Sequence, residues 1–226
     1  MHSSTRWFAA ASLAIALLGV SVSDVAAFDN PLAPCTQPVR RMLLPAALRE
    51  GVEPPAAVLA NGDIEAGAQA WRVRSNAGFK VVYSVSDPDW QRVLPSVALE
   101  PTVGGQYAFW FRACTGRDET SWAAQTIVIP AAARTLRFSA LPISRESREG
   151  ATCPENDVAR VTIDGVEVYK QALCEVLDMD GNPILAWTPK TIDISAFAGK
   201  TSTLRFSLDA DEQVPSNWLV DTVAIE

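Results

Sequence analysis

From residue 70 to the end of the chain, short β-branched and aromatic runs alternate with Gly, Pro, Asp and Asn, and this punctuation constrains the fold more than any other feature. The runs fall at 70–75, 79–85, 106–113, 123–129, 134–141, 158–164, 166–170, 190–195, 202–208 and 217–225. Ten candidate strands with no helical pattern between them predict an all-β sandwich or barrel. Strict alternation supports this: Leu136, Phe138 and Ala140 oppose Arg137 and Ser139, and Leu204, Phe206 and Leu208 oppose Arg205 and Ser207. Each such strand buries one face and wets the other. Asp164-Gly165, set between two apolar runs, predicts a two-residue hairpin. The pentapeptide Thr-Leu-Arg-Phe-Ser occurs at 135–139 and again at 203–207, too isolated for a solenoid repeat; it predicts two strands in equivalent niches of one sandwich.

The first 60 residues differ. Residues 28–60 hold six of the fifteen prolines and read as an extended arm, with a short helix over 39–50 interrupted by Pro45. Residues 1–27 combine Arg6, an apolar stretch from Trp7 to Val22, and Val25-Ala26-Ala27 before Phe28, the pattern of a cleaved secretory signal peptide. A secreted or periplasmic protein is expected, with no transmembrane segment in the mature chain. Export gives the four cysteines a meaning, since an even number in an oxidising compartment predicts two disulfides. Cys153 with Cys174 and Cys35 with Cys114 is the favoured pairing of three, chosen by proximity and remainder.

Composition removes several functions. With 19 Lys plus Arg against 26 Asp plus Glu, and no basic run, the chain offers no electrostatic reason to bind nucleic acid. His2 is the only histidine and lies in the signal peptide, which excludes Ser-His-Asp hydrolysis and His-ligated zinc in the mature chain.

Three stretches, taken in order, resemble the galactose-binding-like jelly rolls that serve as carbohydrate-binding modules and the MAM-like modules of secreted bacterial proteins. These are Asn61-Gly62-Asp63-Ile64-Glu65 with Trp71, then Ala124 to Pro130 leading into Leu136-Arg137-Phe138, and last Ile192 to Lys200 with Leu204-Arg205-Phe206 and Trp218-Leu219-Val220-Asp221-Thr222-Val223. The resemblance implies a two-sheet antiparallel jelly-roll β-sandwich over 61–226. It also implies a structural calcium ion held by Glu65 and Asp221, with oxygen ligands of the kind calcium prefers. Thr222 stands where the family often has a second Asp, and the alternative is a pair of solvated carboxylates at strand ends. Asp178-Met179-Asp180-Gly181-Asn182 alternates oxygens but does not meet the EF-hand spacing and reads as an exposed turn.

Six Trp remain after the signal peptide. Trp71 and Trp218 belong to the matched stretches and are expected in the core. Trp90, Trp187, and Trp110 with Arg112 beside it are the candidate ligand contacts, because an exposed indole face stacks on a sugar ring while polar side chains bond its hydroxyls. The leading expectation is an exported, non-catalytic module binding a glycan or surface polymer. The alternative is a structural or protein-interaction domain of the cell surface or matrix. A carbohydrate-active enzyme would need a carboxylate pair that no spacing singles out.

Overall fold

A computed structural model describes residues 58–88, 102–113, 116–148, 152–175 and 186–226. Residues 1–57, expected to hold a signal peptide and most of an arm with Cys35, lie outside these residues, as do Cys114, Trp90 and 178–182. Among the described residues there are ten strands, β1 (Arg72–Ser75), β2 (Val82–Ser84), β3 (Tyr107–Arg112), β4 (Glu119–Val128), β5 (Thr135–Ser144), β6 (Val158–Ile163), β7 (Val166–Ala172), β8 (Thr188–Asp193), β9 (Thr201–Ala210) and β10 (Ser216–Ile225), with one 3₁₀ turn at Ser195–Phe197. All ten candidate runs of the sequence are strands. Their ends differ most in four: β4 starts four residues earlier, at Glu119, β5 continues to Ser144, β2 is cut to Val82–Ser84, and β8 is shifted two residues earlier, to Thr188–Asp193.

The strands form a jelly-roll β-sandwich of two five-stranded antiparallel sheets, in the orders β1-β4-β9-β6-β7 and β2-β3-β10-β5-β8. The chain crosses repeatedly between the layers, so neighbours in a sheet are mostly distant in sequence. The facing sides hold a core that includes Trp71, Phe109, Phe111, Phe138, Phe206 and Trp218. The two copies of Thr-Leu-Arg-Phe-Ser lie in opposite sheets, on β5 and β9, and their Phe138 and Phe206 rings meet edge to face at 5.3 Å. Such a pair adds about 1 kcal/mol beyond the area it buries.

Local chemistry explains the turns. Asp164 and Gly165 both have positive φ, 50° and 79°, as the tight hairpin between β6 and β7 requires. The Asp164 carboxylate also accepts the Thr203 N–H at 2.8 Å, fastening the hairpin to the neighbouring β9. Cys153 and Cys174 form a disulfide across the open end of the same hairpin, where Val158 pairs with Ala172. In β10 the register with β5 shifts between Asp221 and Ala224. Thr222 takes a φ of 52° there, and the bulge reverses the alternation, so Trp218 and Val220 point into the core before it and Val223 and Ile225 after it.

Candidate functional site

The opening motif is a latch between the two ends of the domain. The Asn61 amide donates to the carbonyls of Gly67 and Gln69, its oxygen accepts the Ala66 N–H, and its own carbonyl accepts the Trp71 indole N–H at 3.0 Å. Gly62 lies so close to β10 that a Cβ would overlap the Val223 carbonyl, while its own carbonyl accepts the Val223 N–H at 2.7 Å. Ile64 is fully buried. Glu65 then reaches the start of β3, accepting the N–H groups of Gln106 and Tyr107 at 2.8 and 2.9 Å.

Asp221 closes the same loop from the other side. Its carboxylate is inaccessible to solvent and accepts the N–H groups of Val103 at 2.8 Å and Thr222 at 2.6 Å. Burial holds it above its ordinary carboxylate value; the N–H groups of Val103, Thr222 and Gly104 oppose this, and the nearby Glu65 charge adds to it. The structure thus brings Glu65 and Asp221 to one segment, 102–107, as the resemblance implies. The groups facing their oxygens, however, are N–H donors, which cannot ligate a cation, and no three acidic or Cys side chains converge among the described residues. This donor set suits a carboxylate tether better than a calcium site, and no role is routed through an ion at this place.

The candidate aromatic contacts separate. Trp110 is 1% exposed, its indole N–H donates to Asn217 at 2.8 Å, and it packs in a second cluster with Tyr83, Leu141, Ile143 and Leu219. It therefore offers no face to a ligand, contrary to its expectation as a candidate ligand contact. The Arg112 guanidinium lies over both the Trp110 and Phe79 rings, at 5.3 and 5.2 Å, as a cover for the cluster. Trp187 is half-buried against the same cluster. The cluster occupies the outer side of the second sheet, so that sheet is apolar on both faces.

The outer side of the first sheet has a different character. Inward positions of β4 are Glu119, Ser121, Ala123, Gln125 and Ile127, which leaves Trp122 on the outer side beside Thr120 and Thr126. The register sets Arg74, Trp122, Ser207, Arg160 and Lys170 in one row across the five strands, and Arg72, Ala124, Arg205, Thr162 and Glu167 in the next. Trp122 is half-buried, with the Arg205 guanidinium over its ring at 4.8 Å from the centroid. Arg160 bridges Asp209 at 2.7 Å and Glu167 at 3.2 Å, which fixes its planar fork in the middle of the sheet. An indole bordered by guanidinium groups and hydroxyls on a broad sheet can take the apolar face of a pyranose and bond its oxygens. Sequence reading missed Trp122 because the inward residues of β4 include Ser121 and Gln125, which inverts the usual alternation.

No protein-family model and no curated protein sequence matches the chain. Among solved structures it is similar to a family 61 carbohydrate-binding module in complex with β-1,4-galactotriose, at 16% identity and a TM-score of 0.45, over 74% of this chain and 96% of that one. It is also similar to the K1 cleaved adhesin domain of Lys-gingipain from Porphyromonas gingivalis, at 10% identity and a TM-score of 0.45, over 70% and 90%. A third is the family 11 carbohydrate-binding module from Clostridium thermocellum in complex with a β-1,3-1,4-mixed-linked tetrasaccharide, at 13% identity and a TM-score of 0.40, over 72% and 91%. At these levels the functional reading rests on the chain's own residues. Among the described residues no helix is long and apolar enough to cross a membrane.

Proposed function

We propose that the protein is an exported, non-catalytic binding module that holds a glycan on the outer face of its first sheet. The observation that carries this reading is Trp122, a half-buried indole on the outer side of β4, set among Arg, Lys, Ser and Thr by the register of five strands. Arg74 and Ser207 flank it along one row and Arg205 lies against its ring, so donors surround an apolar platform. Five cations, Arg72, Arg74, Arg160, Arg205 and Lys170, share this face with three acids, Glu167, Asp209 and the Glu155 that pairs with Lys170, on a chain of net charge -7. That local reversal of sign favours a polymer carrying carboxylates, such as a uronic-acid polysaccharide.

Affinity electrophoresis of the purified protein through gels containing neutral or uronate-rich polysaccharides tests the proposal. Retardation by a uronate-rich polymer, reduced by Arg74→Ala and by salt, is expected. Equal mobility in every gel would remove the glycan reading and leave the structural or protein-interaction reading standing.

A further inference from the structure

At the end of the sandwich closed by the disulfide, four pieces of chain meet: the exit of β5 (144–148), the approach to β6 (152–157), the exit of β7 (173–175) and the β9–β10 connection (211–216). Two acidic side chains are buried among them. Asp157 is 0% exposed and Glu146 is 6% exposed. One oxygen of Asp157 accepts the Asp211 N–H at 2.9 Å, but Oδ2 is shut from solvent with no hydrogen-bond partner, and the same holds for Oε1 of Glu146. Neither residue forms an ion pair with a described residue.

Two hydroxyls, of Ser144 and Ser216, lie nearby. Ser216 donates to the Ser144 hydroxyl at 2.7 Å, and Ser144 in turn donates to the Leu173 carbonyl while accepting the Glu146 N–H at 2.9 Å. Ser144 so links the Glu146 backbone to Ser216, whose side chain lies against the Asp157 carboxyl. Asn156, exposed at the rim, contacts the Glu146 side chain. The Asp211 charge acts on both groups and the Glu146 charge on Asp157; buried carboxylates without a counter-ion cost several kcal/mol, and such groups are ordinarily paired, protonated or metal-bound. Burial foremost pushes the Asp157 carboxyl up to about 6, against the opposing hydrogen bonds of the Ser216 side chain and the Asp211 N–H, with the charges of Asp211 and Glu146 adding to the rise.

We propose that this end of the sandwich is a divalent-cation site, in which Glu146 Oε1 and Asp157 Oδ2 are the charged ligands and the side-chain oxygens of Ser216 and Asn156 are neutral ones. Two carboxylates balance the charge of one hard, oxygen-seeking ion of the calcium class. The ion ties the exit of β5 to the approach of β6 and to the β9–β10 connection, beside the Cys153–Cys174 bond. It lies at a different pair of carboxylates from Glu65 and Asp221, whose oxygens face N–H groups.

The test uses the full exported chain with its disulfides intact, stripped with chelator and dialysed against calcium chloride, followed by metal analysis and thermal melts. One bound calcium per chain is expected, with a rise in Tm of about 5 to 10 °C at a hundredfold excess over Kd. Glu146→Gln and Asp157→Asn abolish both the bound ion and the rise, while Glu65→Gln keeps them. If Asp157→Asn does not fold, Glu146→Gln and the stoichiometry of the unmodified protein still decide. Absence of both bound calcium and a Tm rise would overturn the proposal, as would calcium binding lost in Glu65→Gln but kept in Glu146→Gln. A protein whose Tm ignores calcium but climbs on acidification to about pH 5 would equally overturn it, by showing that a shared proton fills the place of the ion. Glycan binding at Trp122 is read separately, so either proposal can fail alone.

Discussion

Replacing Gly105 by alanine tests the carboxylate latch, and Gly199 supplies a matched control. Both glycines have a φ of 78°, so an alanine at either suffers the same left-handed strain, about 1 to 2 kcal/mol. Their surroundings differ. At Gly199 the nearest atom to a new Cβ is Ala131 Cβ at 3.8 Å, ordinary contact, whereas at Gly105 the Cβ would overlap the carboxylate of Glu65. Relieving that overlap moves Glu65 away from the Gln106 and Tyr107 N–H groups, and for a partly exposed carboxylate this loses roughly 2 to 3 kcal/mol more. Gly105→Ala should therefore cost about 3 to 5 kcal/mol and Gly199→Ala about 1 to 2 kcal/mol, read as urea midpoints at constant m. The excess should shrink in a Glu65→Ala background, because the clash and the bonds are then both gone. Equal losses at the two glycines, or an excess that survives Glu65→Ala, would refute the latch.

Two further outcomes follow from the same geometry. Replacing Cys153 and Cys174 together by serine opens a loop closed across 21 positions and should cost about 3 kcal/mol, seen as a Tm lower by roughly 6 to 12 °C; an unchanged melt would count against the bond. Burial raises the Tyr169 phenol from its ordinary 10.0 to about 12, so the folded state keeps a proton that the unfolded chain releases. Its contribution is then constant below pH 10 and declines as pH rises toward 12; absorbance titration at 295 nm should show a late phase that Tyr169→Phe removes.

The strands were legible because period-2 alternation and turn residues report directly on a half-buried sheet, as in Leu136 to Ala140 and around Asp164-Gly165. The outer cluster on the second sheet was not read, although it left a signal. Leu141 and Ile143 share the parity of Arg137 and Ser139, and Leu219 shares that of Asn217, so apolar residues occupy positions that alternation assigns to water. Trp110 was misplaced for that reason. The bulge at Thr222 was hidden because a left-handed turn there is made by threonine, not glycine. The cationic face could not be seen along the chain at all: Arg72, Arg74, Arg160 and Arg205 are gathered by strand order, which linear charge patterning does not report. Glu65 and Asp221 were found through the resemblance, and what the structure adds is that N–H groups face them.

The outer face of the first sheet is the central claim, and calorimetric titration of a uronate-rich oligosaccharide into the protein and into its Trp122→Ala variant tests it most directly. The account predicts saturable binding that weakens at least about 30-fold on removal of the indole, with little change in thermal stability. Unaltered affinity in Trp122→Ala would place the ligand elsewhere and contradict it.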